Sequence, residues 1–209
     1  MRKISFLIAA LLLSIGSISV KAQDEQGGND PKYGSNPDRC KMNLSLYVEF
    51  YRQKNYADAY PSWSIVFNEC PKSSKNLYIH GPKIIWEKIN SAKDPATKAK
   101  YADTLMLMYD RRIENFGEEG KVLGYKGIDF YKLYPSKKKE ALDILGQSIE
   151  KDGKNSDPAA ITILMEIAVN LYKEQKLPAD QVLEYYNKCS EALTSQLEVK
   201  PDAENIKKA

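Results

Sequence analysis

The chain has a single histidine, His80, and only three cysteines, Cys40, Cys70 and Cys189, among 209 residues. That scarcity removes most of the side-chain sets that perform hydrolytic or metal-assisted chemistry. No His, Cys and Glu cluster has metal-ligand spacing, and no Gly-x-Ser-x-Gly elbow occurs. His80 is followed by Gly81-Pro82 and reads as structural rather than catalytic. Glycine is sparse outside Gly117 to Gly127, and that stretch fits neither the dinucleotide-binding nor the phosphate-loop pattern. Sustained strand alternation is missing and hairpin dipeptides are nearly so, which excludes a β-rich fold. The apolar run Ile4 to Leu13 is shorter than the ~20 residues a membrane-spanning helix needs. These absences predict a protein that is not an enzyme, with no cofactor, no metal site and no stable membrane span.

What is present begins at the N-terminus. Arg2 and Lys3 precede the apolar run, and small residues from Ser14 to Ser19 lead to Val20-Lys21-Ala22. A basic segment, an apolar segment and an A-x-A-like site form the layout of a secretory signal, so residues 1–22 are expected to be removed after Ala22. The first cysteine, Cys40, lies well beyond that site, which argues against a lipid-modified N-terminus. Removal takes away Arg2, Lys3 and Lys21, three of the 31 basic residues and none of the 28 acidic ones, leaving 28 of each sign. A neutral mature chain gives no electrostatic reason to expect a nucleic-acid partner. The expected location is the periplasm or the medium. Residues 23–39 are polar and rich in Gly, Asn, Asp and Pro, and their composition predicts a flexible leader. A helical domain is expected over 40–197, with a charged tail over 198–209.

Helix boundaries carry their own signals. Asp94-Pro95 and Asp157-Pro158 each place a capping carboxylate before a proline, which at the first helical position loses no hydrogen bond. Between them and the next breakers, apolar residues recur every three or four positions, as in Leu105, Met106, Tyr109, Ile113 and Phe116 before Gly117. Leu46-Tyr47-x2-Phe50 followed by Tyr56, Ala59, Trp63, Val66 and Pro71 has a two-helix repeat spacing, with Lys54-Asn55 at the turn. Pro61 falls inside the second helix and predicts a late start or a kink. Large–small pairs return at His80-Gly81, Leu123-Gly124 and Ile167-Ala168, with second-helix pairs at Ala102/Met106, Ala141/Leu145 and Val182/Tyr186. The expected fold is all-α, an α-solenoid of about four antiparallel helix pairs.

At these positions the chain resembles the tetratricopeptide-repeat family. Asp103-Thr104-Leu105-Met106-x2-Tyr109-Asp110-x-Arg112-Ile113 with Gly117-x2-Gly120-x3-Gly124-x-Lys126-Gly127 is similar to exported tetratricopeptide-repeat proteins of Bacteroidetes. Asn43 and Tyr47 depart from the family, which has tryptophan and a small residue there. The resemblance implies an α-solenoid with a protein-interaction role and no known reaction. Repeat stacking produces concave surfaces, so a protein partner of the cell envelope bound in the groove is the leading expectation. A glycan-binding module is the alternative, motivated by the 14 tyrosines.

Several residues are singled out. Tyr51 and Arg52 fall on the first-helix face that lines a solenoid groove, and both types are enriched at binding hot spots. Cys40 opens the first helix and Cys70 closes the second, about 15 residues either side of the turn, so they reach one level of the hairpin. A bridge between them and two buried free thiols both remain open. Cys189 lies on an apolar stripe and reads as a core thiol. Asp110-Arg111-Arg112 with Glu114 reads as a solvated helix face, a buried ion-pair node being the alternative. The last helix carries a wide apolar face including Tyr185 and Leu193, predicted to meet another chain such as a second copy.

Overall fold

The structure, a computed structural model, describes residues 30–199 and 203–208. The signal segment, leader residues 23–29, and positions 200–202 and 209 of the tail lie outside the described residues. Helices run α1 (Pro37–Arg52), α2 (Tyr56–Glu69), α3 (Asn76–Ser91), α4 (Pro95–Phe116), α5 (Glu119–Leu133), α6 (Lys138–Asp152), α7 (Pro158–Lys173) and α8 (Ala179–Val199), with a short α9 (Glu204–Lys207). No strand occurs among the described residues. Each long helix packs on the next, which makes an α-solenoid of four hairpins, α1/α2 to α7/α8. The expected large–small pairs fall on α1, α3, α5 and α7, and their partners on α2, α4, α6 and α8. No described helix is long and apolar enough to cross a membrane.

The punctuation is local chemistry. Asp94 and Asp157 accept from the backbone N–H of Thr97 and Ala159, each at 2.8 Å, with Pro95 and Pro158 opening the helices. Asn36 and Asn55 cap α1 and α2 in the same way. Gly117 ends α4 at φ +71°, a conformation that a side chain disfavours. Pro61 neither delays nor splits α2, which runs from Tyr56 because the Asn55 cap sets its start.

Two cores fill the solenoid. The first gathers rings, namely Tyr47, Trp63, Phe67, Tyr78 and Tyr109, among Leu77, Ile84, Ile85 and Leu105. Trp63 is fully buried, donates Nε1–H to the Leu77 carbonyl at 2.8 Å, and stacks on Phe67 at 4.9 Å. The second is aliphatic: Leu142, Leu145, Ile161, Leu164 and Ile167 with Ala160 and Ala168. Helix α5 serves both, with Val122 in the first core and Ile128 and Phe130 packed on the second. Tyr56, at the start of α2, is only half-buried, whereas Tyr109 is buried.

The glycine stretch is a packing stripe. A Cβ on Gly127 would stand 2.6 Å from Leu145 Cδ2, and one on Gly120 would stand 2.7 Å from the Asp152 nitrogen. Ser148 Oγ, buried in the seam, donates to the Gly120 carbonyl at 2.7 Å. Glycine lets the α5 and α6 backbones approach where alanine would not fit.

Both ends differ from expectation. Residues 30–39, assigned by composition to the flexible leader, carry defined structure. Asp30 caps a short turn over Pro31–Tyr33, and Gly34 at φ +70° sits against the Glu69 carbonyl. Asn36 then starts α1 at Pro37 rather than Cys40. Here Asn, Asp, Pro and Gly act as caps and turns, a use that composition does not separate from disorder. At the other end α8 continues to Val199, and Ile206 of the expected charged tail is buried on α9.

Candidate functional site

Cys40 and Cys70 are joined in a disulfide, with Cα atoms 6.3 Å apart. The bridge ties the start of α1 to the end of α2, and Arg39 pairs with Glu69 beside it at 2.8 Å. Cys189 is free and buried, and burial pushes its thiol up to about 11.

Tyr51 and Arg52 do not share a cleft. The Tyr51 ring stacks on His80 with centroids 3.8 Å apart and planes 14° apart, so its face is spent on the α1–α3 contact. Arg52 is exposed at the end of α1. The same stack explains His80. Burial, together with the nearby Lys83 and Arg52 charges, lowers its pKa. Its Nδ1 and the hydroxyl of fully buried Tyr47 have no protein partner.

Tyr185 and Leu193 are not on the free side of the last helix. Both are half-buried against the second core, and a Cβ on Gly146 of α6 would stand 3.1 Å from Tyr185 Cε1. The outward residues are Leu183 and Tyr186, 61% and 57% exposed, and Tyr172 of α7 in the same hairpin is exposed as well. The apolar face of α8 is wide: Val182, Tyr185 and Leu193 pack on the second core, while Tyr186 of the same face stays outside.

The structure assembles a different site. Helix α4 packs on both α3 and α5, and α5 packs on α7. Between α3, α4 and α5 lies a cleft of about 440 Å³ lined by Ile79 and Pro82 of α3, Tyr109 and Arg112 of α4, and Lys121, Tyr125, Ile128, Asp129 and Lys132 of α5. Arg112 is 5% exposed and Asp129 8%, so a buried cation and a buried carboxylate both reach one opening. Tyr109 donates its hydroxyl to Asp129 Oδ2 at 2.7 Å, and Lys132 pairs with Oδ1 at 3.4 Å. Burial, reinforced by the Asp129 charge, pushes the Tyr109 hydroxyl far above its ordinary pKa, so it remains a donor.

Arg112 donates Nη2–H to Glu118 at 3.2 Å, and its guanidinium lies 5.7 Å from the Tyr125 ring centre. Its Nε is buried without a protein acceptor. Glu118, at φ +59° before α5, also binds Lys75 at 2.7 Å. Hydrogen bonding by Lys75, with a further contribution from Arg112, holds the Glu118 carboxyl below its ordinary pKa. The expected solvated face therefore divides in two. Arg112 is a buried ion-pair node. Arg111 instead donates to the Phe67 carbonyl at 3.1 Å while lying over the Phe67 ring.

The signal for this site was in the helical period. Arg112 lies three residues beyond Tyr109 and four before Phe116, on the buried stripe of α4; Asp129 lies between Val122 and Leu133 on that of α5. A second hollow, about 620 Å³, adjoins across Lys121 and Tyr125 and is bounded by Ser156, Gln196 and Ile206. Its buried hydroxyl, Ser156 Oγ, is already given to the Gly153 carbonyl at 2.7 Å. Among the described residues no His, Cys, Asp and Glu side chains gather as a metal set.

The chain matches no family model and no curated protein.

Proposed function

We propose that the protein is an exported interaction scaffold that holds a protein partner in the groove crossing α3 and α5. One observation carries the reading. Between α3 and α5 lies a cleft whose floor is a buried Arg112 and Asp129 and whose walls include the apolar Ile79, Pro82 and Ile128. Ile79 on the rim is 47% exposed, an apolar side chain suited to contact with a partner. The tetratricopeptide assignment belongs to this proposal and rests on the pairs that recur along α1 to α8. Export rests on the basic–apolar–small N-terminus, and the Cys40–Cys70 pair suits an oxidising compartment.

Capture from envelope extract by the chain lacking residues 1–22, set beside a glycan array, tests the reading. The expected result is a specific protein captured by the parent chain and lost with Ile79→Asp. Specific glycan binding with no captured protein overturns it in favour of a glycan-binding module. Self-association belongs on Leu183 and Tyr186, the outward pair on α8. Light scattering should show a larger species that Leu183→Lys reduces to a monomer.

A further inference from the structure

We propose that one edge of the solenoid, the one carrying the turns within the hairpins, docks on an anionic phospholipid surface. This edge is separate from the α3–α5 cleft, and the proposal goes beyond the scaffold reading. Each long helix runs back along the one before it. The turns α1–α2, α3–α4 and α5–α6 therefore lie on one edge, and α2–α3, α4–α5 and α6–α7 on the other. Charge separates the two. Residues 50–61, 83–101 and 130–140, on the first edge, include eleven basic and four acidic side chains. Residues 67–78, 110–122 and 147–160, on the second, include seven basic and eight acidic ones. The chain beyond residue 22 is neutral, so the excess belongs to one edge and not to the molecule. Such a field turns that edge toward an anionic partner.

The cations are also available. Arg52, Lys54, Lys83, Lys93, Lys98 and Lys100 are exposed, and none makes an ion pair among the described residues. At the third turn Lys137, Lys138 and Lys139 are held by Glu140, Glu174 and Asp143, so the unpaired charge is concentrated on the first two hairpins. Neither cleft described above is lined by those six cations, which suits a broad, flat partner rather than an inserted one.

Aromatic rings follow the same division. The three segments of the first edge hold nine, those of the second edge three, and all nine are half-buried. Their faces are engaged within the fold. Tyr51 stacks on His80, and Tyr60 meets Tyr101 edge-on at 5.4 Å with Lys88 over both rings. Phe130 and Tyr134 pack at 4.9 Å with Lys137 beside them. A single-stranded nucleic acid stacks its bases on free ring faces, and a glycan uses such faces in the same way, so these rings serve neither. Half-exposed amphipathic rings interleaved with unpaired lysines match the headgroup level of an anionic bilayer.

Cosedimentation with vesicles tests this. The chain without residues 1–22 is used, because Arg2, Lys3 and the apolar run after them would bind lipid by themselves. The probes are vesicles of phosphatidylcholine alone and with 30% phosphatidylglycerol, each at about 50 mM and about 150 mM salt, and heparin as a soluble polyanion. Binding is expected to the phosphatidylglycerol vesicles, weaker at the higher salt, and not to phosphatidylcholine alone. Lys93→Glu, Lys98→Glu and Lys100→Glu together should weaken it at least about thirtyfold, since each lysine near such a surface contributes about fivefold. Circular dichroism should be unchanged, because acidic residues are accommodated at the start of α4. Lys72→Glu, Lys151→Glu and Lys154→Glu, an equal change of charge on the opposite edge, should alter binding less than about threefold. No binding to phosphatidylglycerol vesicles at the lower salt, equal losses from the two triple variants, or heparin binding without vesicle binding overturns the proposal.

Discussion

Around α1 to α4 the solenoid is filled by rings; around α6 to α8 it is filled by leucine, isoleucine and alanine. The difference shows in the polar atoms. The buried side-chain atoms without a protein partner, on Tyr47, Ser73, His80 and Arg112, all lie in the first region among the described residues. Rings bring large apolar area together with hydroxyls and ring nitrogens that need partners. Aliphatic side chains bring no such demand. In the first region Trp63 and Tyr109 meet it with the Leu77 carbonyl and Asp129, and the Cys40–Cys70 bridge ties its outer hairpin. In the second region close fit replaces hydrogen bonding, and glycine and alanine bring the helices together. The cleft opens on α5, the helix that belongs to both.

Breaking the ring packing is expected to have the largest effect. Trp63→Ala should cost about 4 kcal/mol in urea unfolding, through a large cavity and the loss of the bond to the Leu77 carbonyl. A cost below that of Leu164→Ala, its aliphatic counterpart, would break the comparison. Reduction of the disulfide should cost about 3 kcal/mol by releasing a loop with a sequence separation of 30. Hydrogen exchange should show the loss in α1 and α2 and leave α7 protected. Equal loss in both regions would mean that they unfold as one unit.

Gly127→Ala tests the close-packed seam. A methyl 2.6 Å from Leu145 should cost about 2 kcal/mol, and Leu145→Ala in the same chain should recover part of it. A purely additive double variant would show that the seam has slack. The smallest effect is expected at His80. Its depressed pKa means that the unfolded chain binds the proton more readily, so the contribution is complete above the ordinary histidine value and is lost as pH falls through the range below it. Thermal melting should therefore fall more between about pH 7.5 and about pH 5.5 for the parent chain than for His80→Gln.

The legible parts of the molecule were those written in local periodicity. Asp94-Pro95, Asp157-Pro158 and Gly117 act at the helix ends they mark, because caps and breakers satisfy backbone groups within a few residues. The hairpin turn at Lys54-Asn55 likewise placed Cys40 level with Cys70. The order of residues 30–36 is not legible in composition, because Asp30, Gly34 and Asn36 act through short turns and a contact with α2 that composition averages away. The burial of Arg112 is not legible in α4 itself, because its charge suggests solvent while the acceptor that permits burial, Glu118, lies beyond the helix-ending Gly117.

By itself the sequence determined an all-α chain of paired helices, their order and ends, since propensity, caps and a repeating apolar stripe act over a few residues. Which surface is free was decided by tertiary structure alone. Tyr51 is turned from a groove residue into a packing ring by His80, and Tyr185 is drawn inward by Gly146, leaving Leu183 and Tyr186 outside. The cleft over Arg112 and Asp129 is lined by α3, α4 and α5 together, so it depends on the spacing of all three helices. That spacing is set by the bulk of side chains meeting from different helices, a sum that no single segment of the chain contains.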